Sequence, residues 1–453
     1  MTTVADAAVV SPWRGRHGRT TVGVFSLAFL FAFEALAVAT VMPDVAQDLD
    51  GLRWYAVAFA APLAASVVAL AAAGVQVDRQ GPGPALRRGL VLFCAGVGVA
   101  GLAPTMPVFL LGRLVHGYGG GVLGVALYVV IAQAYPEQLR SRVFAVLTTA
   151  WVLPALVGPA LAAQVAAVAG WRWVFLGVPV LAVAAWVLVA GAPSRPGVDR
   201  PRAGRLPFAL LAAGGVLAVS LAGQRAHPAW PALVVLGLVA IGIGARRLLP
   251  PGTWRMAPGL PAVLGARAAI GTAFAAAEVY VPLLLTLRRG LSLAEAGWVL
   301  TAGAVAWSAG AVLAARWRAL ADQPTRVRLG AVLLGGGIGC FALVALPGVP
   351  LVVPVLGWGV AGLGIGMAFS TLSVLALATA TPGEEGATSS ALQLDDYLSN
   401  SVGLALGGVV FAGFAASAPV PAATGLVVAA AVLAGLALLP AARLAGRAGA
   451  SSG

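Results

Sequence analysis

Lysine is absent from this 453-residue chain, so all 28 of its basic residues are arginines. Without lysine there is no glycine-rich phosphate loop ending in Lys-Ser/Thr, and ATP hydrolysis is not expected. Cysteine is nearly absent too. Cys94 and Cys340 both fall inside apolar runs, and only three histidines accompany them. Neither a disulfide framework nor a metal centre is expected from that set. No His/Cys/Asp cluster suggests a catalytic residue, so the chain is read as a non-enzyme without a cofactor. Charge of either sign is scarce: 9% of residues, against 60% hydrophobic. A soluble domain covers its surface with roughly 25% charged residues, so a soluble fold is excluded. The formal net charge of +13 raises the idea of a nucleic-acid partner. Basic residues that fix membrane topology account for it better.

What remains is long apolar sequence, with a mean hydropathy of +0.96. Thr21 to Met42 carries one charge; Val143 to Ala169 and Leu329 to Ala345 carry none. Such runs match the ~20 residues that cross a ~30 Å hydrocarbon layer as a helix. They are continuous rather than alternating, which argues against strands. About fourteen helices are expected, with two short ones, Pro207–Ala222 and Pro231–Ala245, in the middle of the chain. Met1 to Arg19 is polar and basic without a cleavable signal pattern, so the first span is expected to be an uncleaved anchor. With the N terminus inside, 21 arginines fall in cytoplasmic segments, five in outer loops and two, Arg113 and Arg267, within spans. A missed helix would invert everything after it and scramble this bias. Both termini are therefore expected in the cytoplasm, in a multi-pass protein of the plasma (inner) membrane.

The ends of the chain resemble one another. Each holds six spans, and in each the loop after the second span is short and arginine-rich: Asp78-Arg79-Gln80-Gly81 with Arg87 and Arg88, then Arg316, Arg318, Asp322, Arg326 and Arg328. Two similar bundles facing each other make a cavity at the membrane midplane, which suits alternating access. The expected architecture is an all-α membrane protein of two six-helix bundles plus two extra central helices. Residues 1–192 form the first bundle, 193–258 the linkers and extra helices, and 259–453 the second bundle and tail. A secondary transporter of a small molecule is favoured. A transporter of a specific metabolite, lipid or siderophore is the first alternative. A transporter-like receptor or scaffold without turnover is the second.

Four stretches carry a resemblance to a known family. They are Gly74-Val-Gln-Val-Asp78-Arg79-Gln-Gly81; Gly112-Arg113-Leu-Val-His116-Gly117-Tyr-Gly-Gly-Gly121; Gly158-Pro159 followed by Gly170-Trp171-Arg172; and Val281-Pro282-Leu283 with Gly290-Leu-Ser292 through Ala296-Gly297. Together they resemble the major facilitator superfamily, and within it the fourteen-span drug:proton antiporters. The resemblance implies proton-coupled efflux of a lipophilic, cationic compound, with protons and membrane lipids as the other partners. It also implies proton coupling at Arg113 and a conformational latch at Gly74, Asp78, Arg79 and Gly81. In span five, Ala162 and Ala163 stand where this family usually has glycines.

Four acids lie within spans: Glu34, Glu278, Asp395 and Asp396. A charge at the bilayer centre costs about 2.5–3.5 kcal/mol on insertion scales, so each must face the bundle interior or a wet cavity. These four are the expected proton- or substrate-binding groups. Glu34 is the leading candidate, near mid-span, with a structural pairing to Arg113 as its alternative. Arg113 cannot lose its proton and is expected to hold a neighbouring acid ionised. Asp395 and Asp396 point ~100° apart on a helix, so one can face the cavity while the other meets a neighbouring helix. Arg267 is expected to pair with an acid nearby. Gly158 and Pro159 are expected to bend span five and open a packing seam. Trp151, Tyr128 and Trp307 are candidates to stack on a planar cation.

Overall fold

The computed structural model describes residue 13 and residues 15–195, 204–224, 228–316, 322–379 and 385–445. In chain order its long helices are α1 (Gly15–Asp48), α2 (Val57–Gln80), α3 (Pro82–Gly101), α4 (Met106–Ala134), α5 (Glu137–Ala169), α6 (Trp171–Val189) and α7 (Arg205–Ala222). There follow α8 (Trp230–Leu248), α9 (Leu260–Arg289), α10 (Leu293–Arg316), α11 (Gln323–Ala342), α12 (Val352–Ala378), α13 (Glu385–Phe414) and α14 (Pro419–Leu436). All fourteen are long and apolar enough to cross a membrane by length and composition. No strand occurs among the described residues. The two short central helices are among the fourteen, at 18 and 19 residues.

Hydrogen bonds between loops sort the loops into two sets. On the side of the N terminus, Ser194 of the α6–α7 linker accepts from the Gly83 amide at the start of α3. Arg195 exchanges bonds with Gln133 at the end of α4, and Arg443 donates to the Arg255 carbonyl before α9. At the other ends of the helices, Arg172 at the start of α6 donates to Asp48 at the end of α1 (2.7 Å) and reaches the Ala103 carbonyl before α4. Gln224 after α7 donates to Arg53 before α2. Arg289, ending α9, donates to Val344, Leu346 and Val349 between α11 and α12. Loops after even-numbered helices thus meet one another, as do loops after odd-numbered ones. That alternation is what continuous up-and-down threading requires.

Two of the connections are single residues. Gly81 (φ +78°) joins α2 to α3 and Gly170 (φ +90°) joins α5 to α6. Only glycine adopts such a φ without strain, and Pro82 then opens α3 with a helical φ already set.

Close packing inside each bundle rests on glycines seven residues apart. Gly89 and Gly96 on α3 face Gly112 and Gly119 on α4; Gly330 and Gly337 on α11 face Gly357 and Gly364 on α12. A methyl on Gly112 would lie 2.6 Å from the Ala100 backbone nitrogen, and one on Gly357 would lie 2.8 Å from that of Phe341. Backbones this close gain dispersion contacts where lipid offers no hydrophobic drive. The same device on the third and fourth helices of each bundle is the repeat written in side-chain size.

Helices α1–α6 pack chiefly among themselves, as do α9–α14, and the two sets meet where α5 packs on α10 and α2 on α13. Helix α7 lies over that second seam against α2 and α13, and α8 packs on α7. The outward faces of α6 and α8 present Val180, Leu181, Leu236 and Val239, all more than half exposed, which suits contact with lipid tails.

Candidate functional site

Two adjoining cavities of about 330 and 300 Å³ lie between the bundles and share Phe31, Trp151 and Tyr397. The first, toward the N-terminal face, is bounded by Tyr128, Arg267, Gln393 and Asp396. The second, deeper one is bounded by Phe59, Ser66, Arg113, His116, Glu278 and Asn400. Beyond it the space ends in a plug of Tyr55, Tyr280 and Phe411, each 2% exposed or less, with ring centroids 5.1–6.1 Å apart. Tyr55 Oη donates to the Val279 carbonyl at 3.0 Å, tying the turn before α2 to α9. Tyr128 and Trp151, by contrast, remain 44% and 43% exposed. Among the described residues, this conformation is sealed at the face opposite the N terminus, and its exposed cavity side chains lie on the N-terminal side.

Glu34 is 2% exposed at mid-α1 and does not line either cavity. Arg113 Nη1 donates to its Oε1. His116 Nε2 stands 2.7 Å from Oε2, without the alignment of a hydrogen bond. Arg113 and His116 sit three residues apart on one face of α4 and wall Glu34 off from the deeper cavity. Pro62, inside α2, has no N–H to offer the Ala58 carbonyl four residues back; Arg113 Nε supplies that bond at 3.1 Å. One arginine thus satisfies a buried acid and a carbonyl that a proline had orphaned. Arg113, itself 4% exposed, turns inward rather than reaching for an interface. The sequence paired Glu34 with Arg113 as an alternative, and the structure brings them together. The part played by His116 was missed, though its i, i+3 spacing from Arg113 was the available signal.

The second ion pair belongs to the other bundle. Arg267 on α9 donates through Nε and Nη2 to the two carboxylate oxygens of Asp396, both at 2.8 Å, and through Nη1 to Ser373 Oγ at 2.7 Å. Its guanidinium lies 3.6 Å from the Phe369 ring centroid. Asp396 borders the cavity. Asp395, one residue back, is 3% exposed, lines neither cavity, and leaves Oδ2 without a hydrogen-bond partner. The ~100° step between neighbours therefore separates the pair as expected.

Glu278 borders the deeper cavity, and no residue of the described chain pairs with its carboxylate. Arg113 and Arg267 are each matched by one carboxylate, Glu34 and Asp396, which leaves Glu278 as the carboxylate beside the cavities with no guanidinium against it among the described residues. Of the aromatic candidates, Trp151 and Tyr128 line the cavity, as Phe31 and Phe59 do. Trp307 does not. It is packed at ring-centroid distances of 5.0 and 5.8 Å against Phe274 and Phe369.

The remaining motif residues lie away from the cavity. Gly158 and Pro159 fall within the continuous helix α5. Gly297 of α10 rests on the Pro159 carbonyl and Ala163, where a methyl would come within 3.0 and 3.4 Å. The third and fourth motifs therefore meet at the seam between bundles. Gly74 and Arg79 lie in α2 near its end, and Gly81 makes the turn against Ser194 and Arg195 of the α6–α7 linker. The side chain of Asp78 lies outside the described residues.

A family model for the Major Facilitator Superfamily matches residues 24–403. The chain belongs to this superfamily. It is a multi-pass membrane transporter and not an enzyme. Among curated relatives, a Mycobacterium tuberculosis protein named "probable multidrug-efflux transporter" is 27% identical over 94% of this chain and 95% of its own length. Multidrug transporter protein MdtP of Bacillus subtilis is 25% identical over 51% of this chain and 43% of its own. Among solved structures, a bacterial homologue of the human lysosomal transporter Spinster, inward-facing and unoccupied, superposes with a TM-score of 0.70. It is 12% identical, and the match covers 95% of this chain and 98% of that one. A peptide transporter of the POT type gives 0.68 at 17% identity, over 96% of each chain. At such identities these structures speak for the fold alone.

Proposed function

We propose that this superfamily member exports lipophilic cations from the cytoplasm in exchange for protons, by alternating access, with both termini cytoplasmic in the plasma membrane. The observation that carries the reading is Glu278: an unpaired carboxylate facing a cavity lined by Phe31, Phe59, Trp151 and Tyr397. An acid without a fixed partner in a site walled from lipid is free to take a cation as its counter-ion, and aromatic faces attract planar or quaternary cations. Two whole-length or half-length relatives carry multidrug names, and a cavity that offers rings and one unmatched carboxylate suits a range of such compounds. The fourfold bias of arginines toward one set of loops supports the orientation.

In this mechanism the bundles at 1–192 and 259–453 rock about the cavity, joined through residues 193–258. Glu278 meets the cation, while Glu34 and Arg113 form the coupling pair behind it. Arg267–Asp396 lines the entry, where a cation competes with the guanidinium for the carboxylate, and Asp395 lies behind that pair as a further proton site. The end of α2 from Gly74 through Asp78 and Arg79 to the Gly81 turn latches the opposite state, and Gly158-Pro159 supports the seam on which α10 slides. The proton gradient is the only energy source, and no cofactor takes part. Inverted membrane vesicles energised with an inside-acid pH gradient test the reading. Ethidium, a planar monocation, should accumulate in vesicles carrying wild-type protein and not in those carrying Glu278→Gln. Equal accumulation with and without the pH gradient would refute proton coupling.

A further inference from the structure

His116 has a position that none of the acids shares. It touches Glu34 on one side and borders the deeper cavity on the other. Its Nε2 faces Glu34 Oε2 at 2.7 Å, and its Nδ1 faces Arg113 Nη1 at 3.4 Å. Arg113 Nη1 is permanently a donor, so Nδ1 in this arrangement must be an acceptor. The ring is then the neutral tautomer with its hydrogen on Nε2, the nitrogen that lies beside the carboxylate. A second proton can enter only at Nδ1, where an N–H would oppose the guanidinium N–H. Protonating His116 must therefore part it from Arg113 and turns a neutral Glu34–Arg113–His116 cluster into one of charge +1.

We propose that His116 is the proton-binding group of the exchange, and that its proton and the transported monocation exclude each other from the deeper cavity. The inference rests on the reading of the chain as a proton-coupled cation exporter and names the residue that performs the coupling. The groups facing the ring are Glu34 from α1, Arg113 from its own helix, and the rings of Phe31 and Phe93 from α1 and α3 at 6.5 and 5.1 Å. Across the cavity stand Ser66 on α2, Glu278 on α9, and Tyr397 and Asn400 on α13. Of these, Glu34 and Glu278 alone are acids, and Glu34 is already engaged by Arg113. With His116 neutral, Glu278 is the uncompensated charge and attracts a cation. With His116 charged, the same cavity holds a balancing cation in its wall, and a second is repelled. One proton binds or leaves for each monocation, and histidine is the side chain whose ordinary titration falls in the physiological range.

The full-length protein in detergent supplies two readouts. The chain has three histidines, His17, His116 and His227, so a His17→Gln/His227→Gln variant leaves one imidazole to follow by nitrogen NMR. Nitrogen spectra recorded from pH 5 to 8 without any added compound should show the His116 ring take up a proton at the acid end, and adding ethidium there should return the ring to its neutral form. A ring that holds one protonation state across that range overturns the proposal, whatever ethidium does. In wild type, ethidium binding should weaken by about tenfold per pH unit below the titration and release one proton into a lightly buffered solution. In His116→Gln, which keeps a donor toward Glu34, binding should persist with no pH dependence and no proton released. If that variant still releases a proton, the coupling site is one of the acids: this inference falls and the exporter reading stands. If wild type releases none, the exporter reading falls and takes the inference with it.

Discussion

Substituting Arg113 with glutamine tests how the buried charges are held. Arg113 and Glu34 are 4% and 2% exposed, and the guanidinium serves both the carboxylate and the Ala58 carbonyl that Pro62 leaves without a donor. Removing one partner of such a pair strands the other's charge away from water, which costs about 3–5 kcal/mol. Glu34→Gln leaves the guanidinium in the same difficulty and should cost a comparable amount. The double variant has no buried charge, and two amides of similar reach can bond to each other. It should lose no more than either single variant, giving a coupling energy of several kcal/mol where independent sites agree within about 0.5. Equilibrium unfolding of purified protein in mixed detergent and SDS micelles measures all three. Single costs that simply add would refute the reasoning, because the two side chains would then be satisfied separately.

Three further outcomes follow from particular contacts. Gly112→Ala should destabilise the first bundle, since its methyl would lie 2.6 Å from backbone on α3. Gly98→Ala, with nothing within 4 Å, should stabilise by about 0.5–1 kcal/mol; the same SDS titration distinguishes them. Tyr55→Phe removes the hydrogen bond to Val279 across the plug, a loss of about 1 kcal/mol. It should raise by roughly fivefold the fraction sealed at the N-terminal face, read as faster maleimide labelling of an Ala275→Cys reporter from the plug side. Asp396→Asn should leave Arg267 held by Ser373 and Phe369 alone and weaken ethidium binding, measured by fluorescence, without changing proton release. Altered proton release would place Asp396 in the coupling machinery instead.

The architecture was legible because its signals are local. Each span announces itself as an apolar run, and arginine placement reports which loops share a side, the same division that Arg172–Asp48 and Arg289–Val344 later display in three dimensions. The buried acids were legible for the same reason, since a charge amid Ala and Leu stands out in one dimension. Their partners were not. Whether Asp395 or Asp396 meets Arg267 depends on how α13 is rotated against α9, which no nearby residue dictates. The plug joins Tyr55 from the turn before α2, Tyr280 from α9 and Phe411 from α13, a contact with no signature in any one of these segments. Trp307 shows the converse: an aromatic in a span is packing unless a cavity reaches it.

The central claim is that cation and proton move in opposite directions through one cavity. Proteoliposomes loaded with ethidium, with no pH gradient imposed and a pH dye in the lumen, test it most directly. As ethidium leaves down its gradient, the account predicts that the lumen acidifies with wild-type protein and stays constant with Glu278→Gln. Ethidium leaving wild-type liposomes with no change in lumenal pH would contradict it.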